Sequence, residues 1–74
     1  MMPGEVHVVP VRWIRMPLCA GPELSLLDRG QTPRGSALLI VARVAHGIRR
    51  DVSLLVLCSS GLGWASEEWL ELWD

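Results

Sequence analysis

Two β-rich runs, "ALLIVARVA" (37–45) and "DVSLLVLC" (51–58), are separated only by "HGIRR", and no other feature of the chain constrains its fold as much. Strand formers on either side of a short, glycine-containing connection specify a β-hairpin. Placing Val44 opposite Arg50 aligns Ala42 with Val52, Ile40 with Leu54 and Leu38 with Val56 on one face, the expected core. That register needs an odd loop. A two-residue His46-Gly47 turn would instead bring Ser53 and Asp51 onto the face of Ile40 and Ala42, a slip that is heavily penalised when one face is buried. The opposite face carries Leu39, Val41, Leu55 and Leu57, where a sheet with one wet side would carry polar residues. Either the long loop or the chain ends cover this outer face, or a partner or a second copy does. Leu55 and Leu57 are therefore candidate contact residues, and the face is a possible route to a homo-oligomer.

Upstream, "EVHVVPVRWIR" alternates so that Val6, Val8 and Val11 share a side, with Pro10 interrupting the ladder and Trp13 and Ile14 extending it. Residues 17–36 hold three prolines and three glycines around "ELSLL", which describes a long, folded-back loop with a brief ladder inside rather than a helix. With 74 residues, the chain makes one domain over 1–74 with no linker, and half its residues are apolar, too many for a disordered tail. A core of this size supplies only about 3–5 kcal/mol, so assembly is a natural supplement. The start "MMPGEVHVVP" has neither the basic end nor the apolar run of a signal peptide, and "ALLIVA" and "LLVLC" fall far short of the ~20 residues that span a bilayer. A soluble, cytoplasmic protein with no membrane partner is expected, with Cys19 and Cys58 reduced and buried.

Three of the four tryptophans lie in the closing stretch "SSGLGWASEEWLELWD", in a chain without Phe or Tyr. A turn leads into a short strand around Trp64, expected in the core, and Ser66 can cap one helical turn with Glu67 and Glu68 at its positive end. Over "LELWD", a last strand would bury Leu70 and Leu72 and expose Trp69 and Trp73. A helix over 67–73 would instead stack the two tryptophans one turn apart. The segment "GLGWASEEWL" resembles the closing motif of SH3-like barrels, especially bacterial SH3 domains, which carry Gly-Trp-Val, three variable residues, then Tyr-Leu. Gly63, Trp64 and Ala65 match the first three, and Trp69 and Leu70 stand for the Tyr-Leu pair. The order of elements resembles that family too: first strand, long diverging loop, hairpin, turn, short strand, one helical turn, last strand. The resemblance implies an all-β fold, a small five-stranded SH3-like barrel with one short helical turn near the C-terminus. It makes Trp69 the counterpart of the groove tyrosine of eukaryotic SH3 domains and Ser66 the counterpart of the groove proline. The Ala-Leu-Tyr-Asp-Tyr segment and the tandem Trp that would grip a polyproline helix are missing, which points to another kind of ligand.

Residues 1–50 set seven arginines against three acids, a net +4, whereas 51–74 hold five acids and no base, a net −5. The bland expectation is that the two ends pair across the fold. His7, His46, Cys19 and Cys58 lack zinc-ligand spacing, so no metal is expected. Ser59 and Ser60 are read as turn residues, since neither a nucleophile elbow nor a nearby His or acid accompanies them, and "GLG" lacks the Lys or third Gly of a phosphate loop. No catalytic residues and no cofactor are expected. Arg43, Arg49 and Arg50 cluster at the hairpin tip and are the candidates for an alternative nucleic-acid footprint, which a net charge of −1 does not favour. Trp69 and Trp73, with the acids Glu67, Glu68 and Glu71 between and around them, are the candidate protein-binding residues, because Trp anchors dominate many interfaces and acids steer Arg-rich partners. The expected function is a non-catalytic protein-interaction module, a small bacterial or phage accessory or inhibitor protein that docks on a larger assembly. The alternatives are a nucleic-acid-binding barrel and a cell-wall peptide binder.

Overall fold

The computed structural model describes residues 1–24 and 28–71. It contains strands β1 (Val6–Val8), β2 (Arg15–Cys19), β3 (Asp28–Pro33), β4 (Ala37–His46), β5 (Asp51–Cys58) and β6 (Gly61–Ser66), followed by the helical turn α1 (Glu67–Leu70). All pairings are antiparallel, in the order β1-β4-β5-β6-β2-β3. The expected all-β class with one short helical turn is therefore present. The strand count is six rather than five, because the legs of the long loop pair with each other as β2 and β3. The sheet is not closed into a barrel, since β1 and β3 remain its edges. The strand expected to close it falls largely on residues 72–74, outside the described residues, as does most of "ELSLL".

The core collects Val9, Met16 and Leu18, Leu38 and Ile40, Leu54 and Val56, Ala65 and Leu70 into a single cluster. In sheet order β4 and β2 are separated by β5 and β6, roughly 14 Å on a flat sheet, so one shared cluster requires the sheet to roll around it. Pro10 ends β1 two residues early, and the chain turns there, with the Trp13 amide donating to the Pro10 carbonyl at 3.1 Å before β2 begins.

The central hairpin departs from the expected register in an instructive way. Its loop spans residues 47–50, an even four, and pairs His46 with Asp51, Val44 with Ser53 and Ala42 with Leu55. A bulge at Val41 then shifts the register, so that Ile40 faces Val56 and Leu39 faces Leu57. The extra residue does what an odd loop would have done. Leu38, Ile40, Leu54 and Val56 are all buried as expected, but Ala42 and Val44 are turned to the outer face. The loop is closed by Gly47 at φ +76° and by Arg50 at φ +58°, a left-handed conformation that is unfavourable for an arginine.

Cys19 and Cys58 are both thiols, the first buried and the second half-buried. No helix among the described residues is long and apolar enough to cross a membrane. Thr32, on β3 opposite Met16, is fully buried, and its hydroxyl has no hydrogen-bond partner among the described residues. Thr32→Val keeps the shape and removes the unsatisfied group, so stability should rise by about 1 kcal/mol. A thermal melt should then show an increase of about 4–8 °C in midpoint. A lower midpoint would mean that the hydroxyl is satisfied in solution.

Candidate functional site

The helical turn α1 continues directly from β6, with Ser66 at the N-cap position in extended conformation and Glu67 and Glu68 in the first turn. Ser66 makes no side-chain capping hydrogen bond. The turn is held from its other end. Buried Leu70 pins it to the core, and Glu71 is already extended, so the helix does not run on to residue 73. A one-turn helix leaves its carbonyls unpaired, and the Arg12-Trp13 segment supplies donors for two of them. Trp13 Nε1 donates to the Trp69 carbonyl at 3.0 Å, and Arg12 Nη2 donates to the Glu68 carbonyl at 2.6 Å. The Trp13 and Trp69 rings meet edge to face, with centroids 5.8 Å apart and planes at 65°. The Arg12 guanidinium lies 5.8 Å from the Trp13 ring centre.

Trp69 is thereby fixed as a wall shared by two clefts. The larger, of about 670 Å³, lies between α1 and the tip of the β4–β5 hairpin. The smaller, of about 400 Å³, is lined by Arg12, Trp13, Glu68 and Trp69. The larger cleft draws Glu67, Glu68 and Glu71 together with two acids from elsewhere in the chain, Glu23 and Asp51. Arg49 and Arg50 face the same cleft. Two groups of residues that looked separate in the sequence, the acidic Trp segment and the hairpin-tip arginines, thus share one site, lined among the described residues by five acidic residues and two arginines. Leu24 and Arg50, the two non-glycine residues with positive φ among those described, both line it as well.

Some candidates have other duties. Glu67 is engaged by the chain-start ammonium at 3.1 Å and by Arg43 Nε at 3.6 Å, so the basic and acidic halves do meet across the fold. Arg43 sits within β4 opposite Leu54, away from the tip that holds Arg49 and Arg50. Trp73 lies outside the described residues. Trp64 is not in the core. The inner positions of β6 are taken by Gly63 and Ala65, and Trp64 faces outward beside Leu55. Arg12 and Trp13 are functional-site supports that sequence reasoning missed; the available clue was an indole N–H close to Pro10, which needs an acceptor once partly buried.

His46 Nε2 lies 2.8 Å from Ser53 Oγ, a distance that invites comparison with a nucleophile and its base. Ser53 is fully buried, however, and its hydroxyl donates to the Pro22 carbonyl at 2.6 Å. The His46 ring nitrogen must then be the donor to Ser53 Oγ. The pair ties the 20–24 segment to the hairpin, over the outer face, instead of activating an attacking oxygen. Among the described residues, no group of three or more His, Cys, Asp or Glu is placed to hold a metal.

The outer face itself forms a second surface. Val6 pairs with Leu39, Leu39 with Leu57 and Leu57 with Leu62, so one row of apolar side chains crosses four strands. Their exposures are 66%, 38%, 46% and 42% respectively. Leu55 is more covered than Leu57. The chain matches no family model, no curated protein and no solved structure.

Proposed function

We propose that the protein is a non-catalytic protein-binding module of SH3-like type, which docks on a larger assembly by taking an arginine- or lysine-rich segment of its partner into the α1–hairpin cleft. The observation that carries this is the convergence in one cleft of Trp69 and five acidic residues, of which only Glu67 is already ion-paired among the described residues. An aromatic face and an excess of negative charge together suit a cation, through ring attraction and charge-assisted hydrogen bonds. The SH3-like reading is supported by the order of elements up to the helical turn, in which a long two-legged loop, a hairpin, a third strand and one turn succeed each other. The net negative charge around Arg49 and Arg50 disfavours phosphate, and so disfavours the nucleic-acid alternative.

Glu68 and Glu71 are exposed and make no ion pair among the described residues, so Glu68→Lys/Glu71→Lys should leave the circular dichroism spectrum unchanged. Titration with an oligoarginine peptide, followed by tryptophan fluorescence, should show salt-sensitive binding by the native chain and a loss of at least about tenfold in the variant. Equal binding by the two proteins, or binding of single-stranded RNA in preference to the peptide, would sink the proposal.

A further inference from the structure

We propose that the outer face of the sheet is the interface of a two-fold symmetric homodimer. The row Val6–Leu39–Leu57–Leu62 runs straight across β1, β4, β5 and β6, and the bulge adds Val41 to the same side. Along β4 and β5 no charged side chain enters this face until Asp51 and His46 at the far end of the hairpin, and Arg15 joins it only on β2, beyond the row. Among the described residues the chain's own cover stops short of the row: the 20–24 segment reaches Ser53 through the Pro22 carbonyl, while Leu39, Val41, Leu57 and Leu62 stay more than one-third exposed.

The size and character of the face select the occupant. Val6, Val8, Leu39, Val41, Leu57 and Leu62 together expose on the order of 500 Å² of apolar surface per copy, against about 800 Å² per partner in a standard stable interface, of which a polar rim supplies the remainder. A second copy brings an identical apolar row, and a two-fold axis near Leu39 and Leu57, the middle of the row, packs the two sheets face to face. A cationic partner suited to the acidic cleft has no matching chemistry here. The exposed apolar row Val6–Leu39–Leu57–Leu62 shares no residue with that cleft, so dimerisation and cation binding fail or succeed separately.

Leu39→Arg/Leu57→Arg charges two half-exposed positions whose new side chains can reach solvent. By light scattering the native chain should have twice the 8.2 kDa single-chain mass at micromolar concentration. The variant should have the single-chain mass with an unchanged circular dichroism spectrum, its dissociation constant raised by at least about thirtyfold. A native chain of single mass, or a folded variant that keeps double mass, overturns the proposal. If the variant unfolds, the native protein decides: in a mixture of isotope-labelled and unlabelled chains, methyl groups of Leu39, Leu57 and Leu62 should show intermolecular contacts by filtered NMR. A two-chain species without them overturns the interface.

Discussion

Replacing Trp13 with alanine should remove about 2–4 kcal/mol of stability, a large part of what a chain of 74 residues has to lose. The side chain is half-buried against the core cluster, so its burial contributes less than that of a fully enclosed indole. To that is added the hydrogen bond to the Trp69 carbonyl and the edge-to-face contact with the Trp69 ring. Trp13→Phe separates these contributions. It keeps a ring against Trp69 and removes the N–H donor together with part of the indole's packing area, which should cost about 1–2 kcal/mol. Urea unfolding of the three proteins measures both steps, and a Trp13→Ala midpoint close to the native one would show that α1 is held without the Trp13 contacts. The same variant should also weaken cation binding beyond its effect on folding, because Trp69 loses the neighbour that fixes its ring as a wall of the cleft.

The second large effect is expected at Gly63. A methyl group built there would lie 2.7 Å from Leu18 Cβ, closer than non-bonded carbons approach. The obstacle is a Cβ atom, which moves only if its strand moves. Gly63→Ala should therefore push β2 away from β6, destabilising the protein by about 1–3 kcal/mol. Cys19 opposite Trp64 is the single register pair that joins these strands among the described residues. The β2–β3 hairpin should accordingly lose amide-exchange protection ahead of β4 and β5. Native-like protection throughout, with stability within about 0.5 kcal/mol of the native value, would show that the sheet absorbs the methyl and that β2 does not depend on this close approach.

The site was legible in the sequence as a set of residue types but not as an arrangement. The acids around Trp69 were apparent from adjacency alone, and the helical turn from Ser66 followed by two glutamates. That Arg49 and Arg50 share the cleft with those acids could not be seen, because Glu67 lies 17 positions after Arg50 and only the path of β5 and β6 brings them together. The Glu67–Arg43 pair, which gives both residues a structural duty, is also a product of that path.

What the sequence determined by itself is local alternation: Leu38, Ile40, Leu54 and Val56 share one face because successive strand residues point to opposite sides, although the other face is apolar as well. The helical turn after Ser66 was legible as one of two readings, whereas the continuation of the first strand through Trp13 and Ile14 is corrected, since β1 ends at Val8. The tertiary structure decided the parity of everything beyond. One extra residue at Val41 turned Ala42 and Val44 outward, and the close approach of Leu18 to Gly63 sent Trp64 to the outer face. Pairing of the loop legs as β2 and β3 made the sixth strand, and the indole of Trp13 found its acceptor on Trp69, 56 residues away. The physical reason is common to all four. A side chain's face in a sheet changes with a shift of one residue, and the free energy that selects between the two faces comes from contacts with strands distant in the chain.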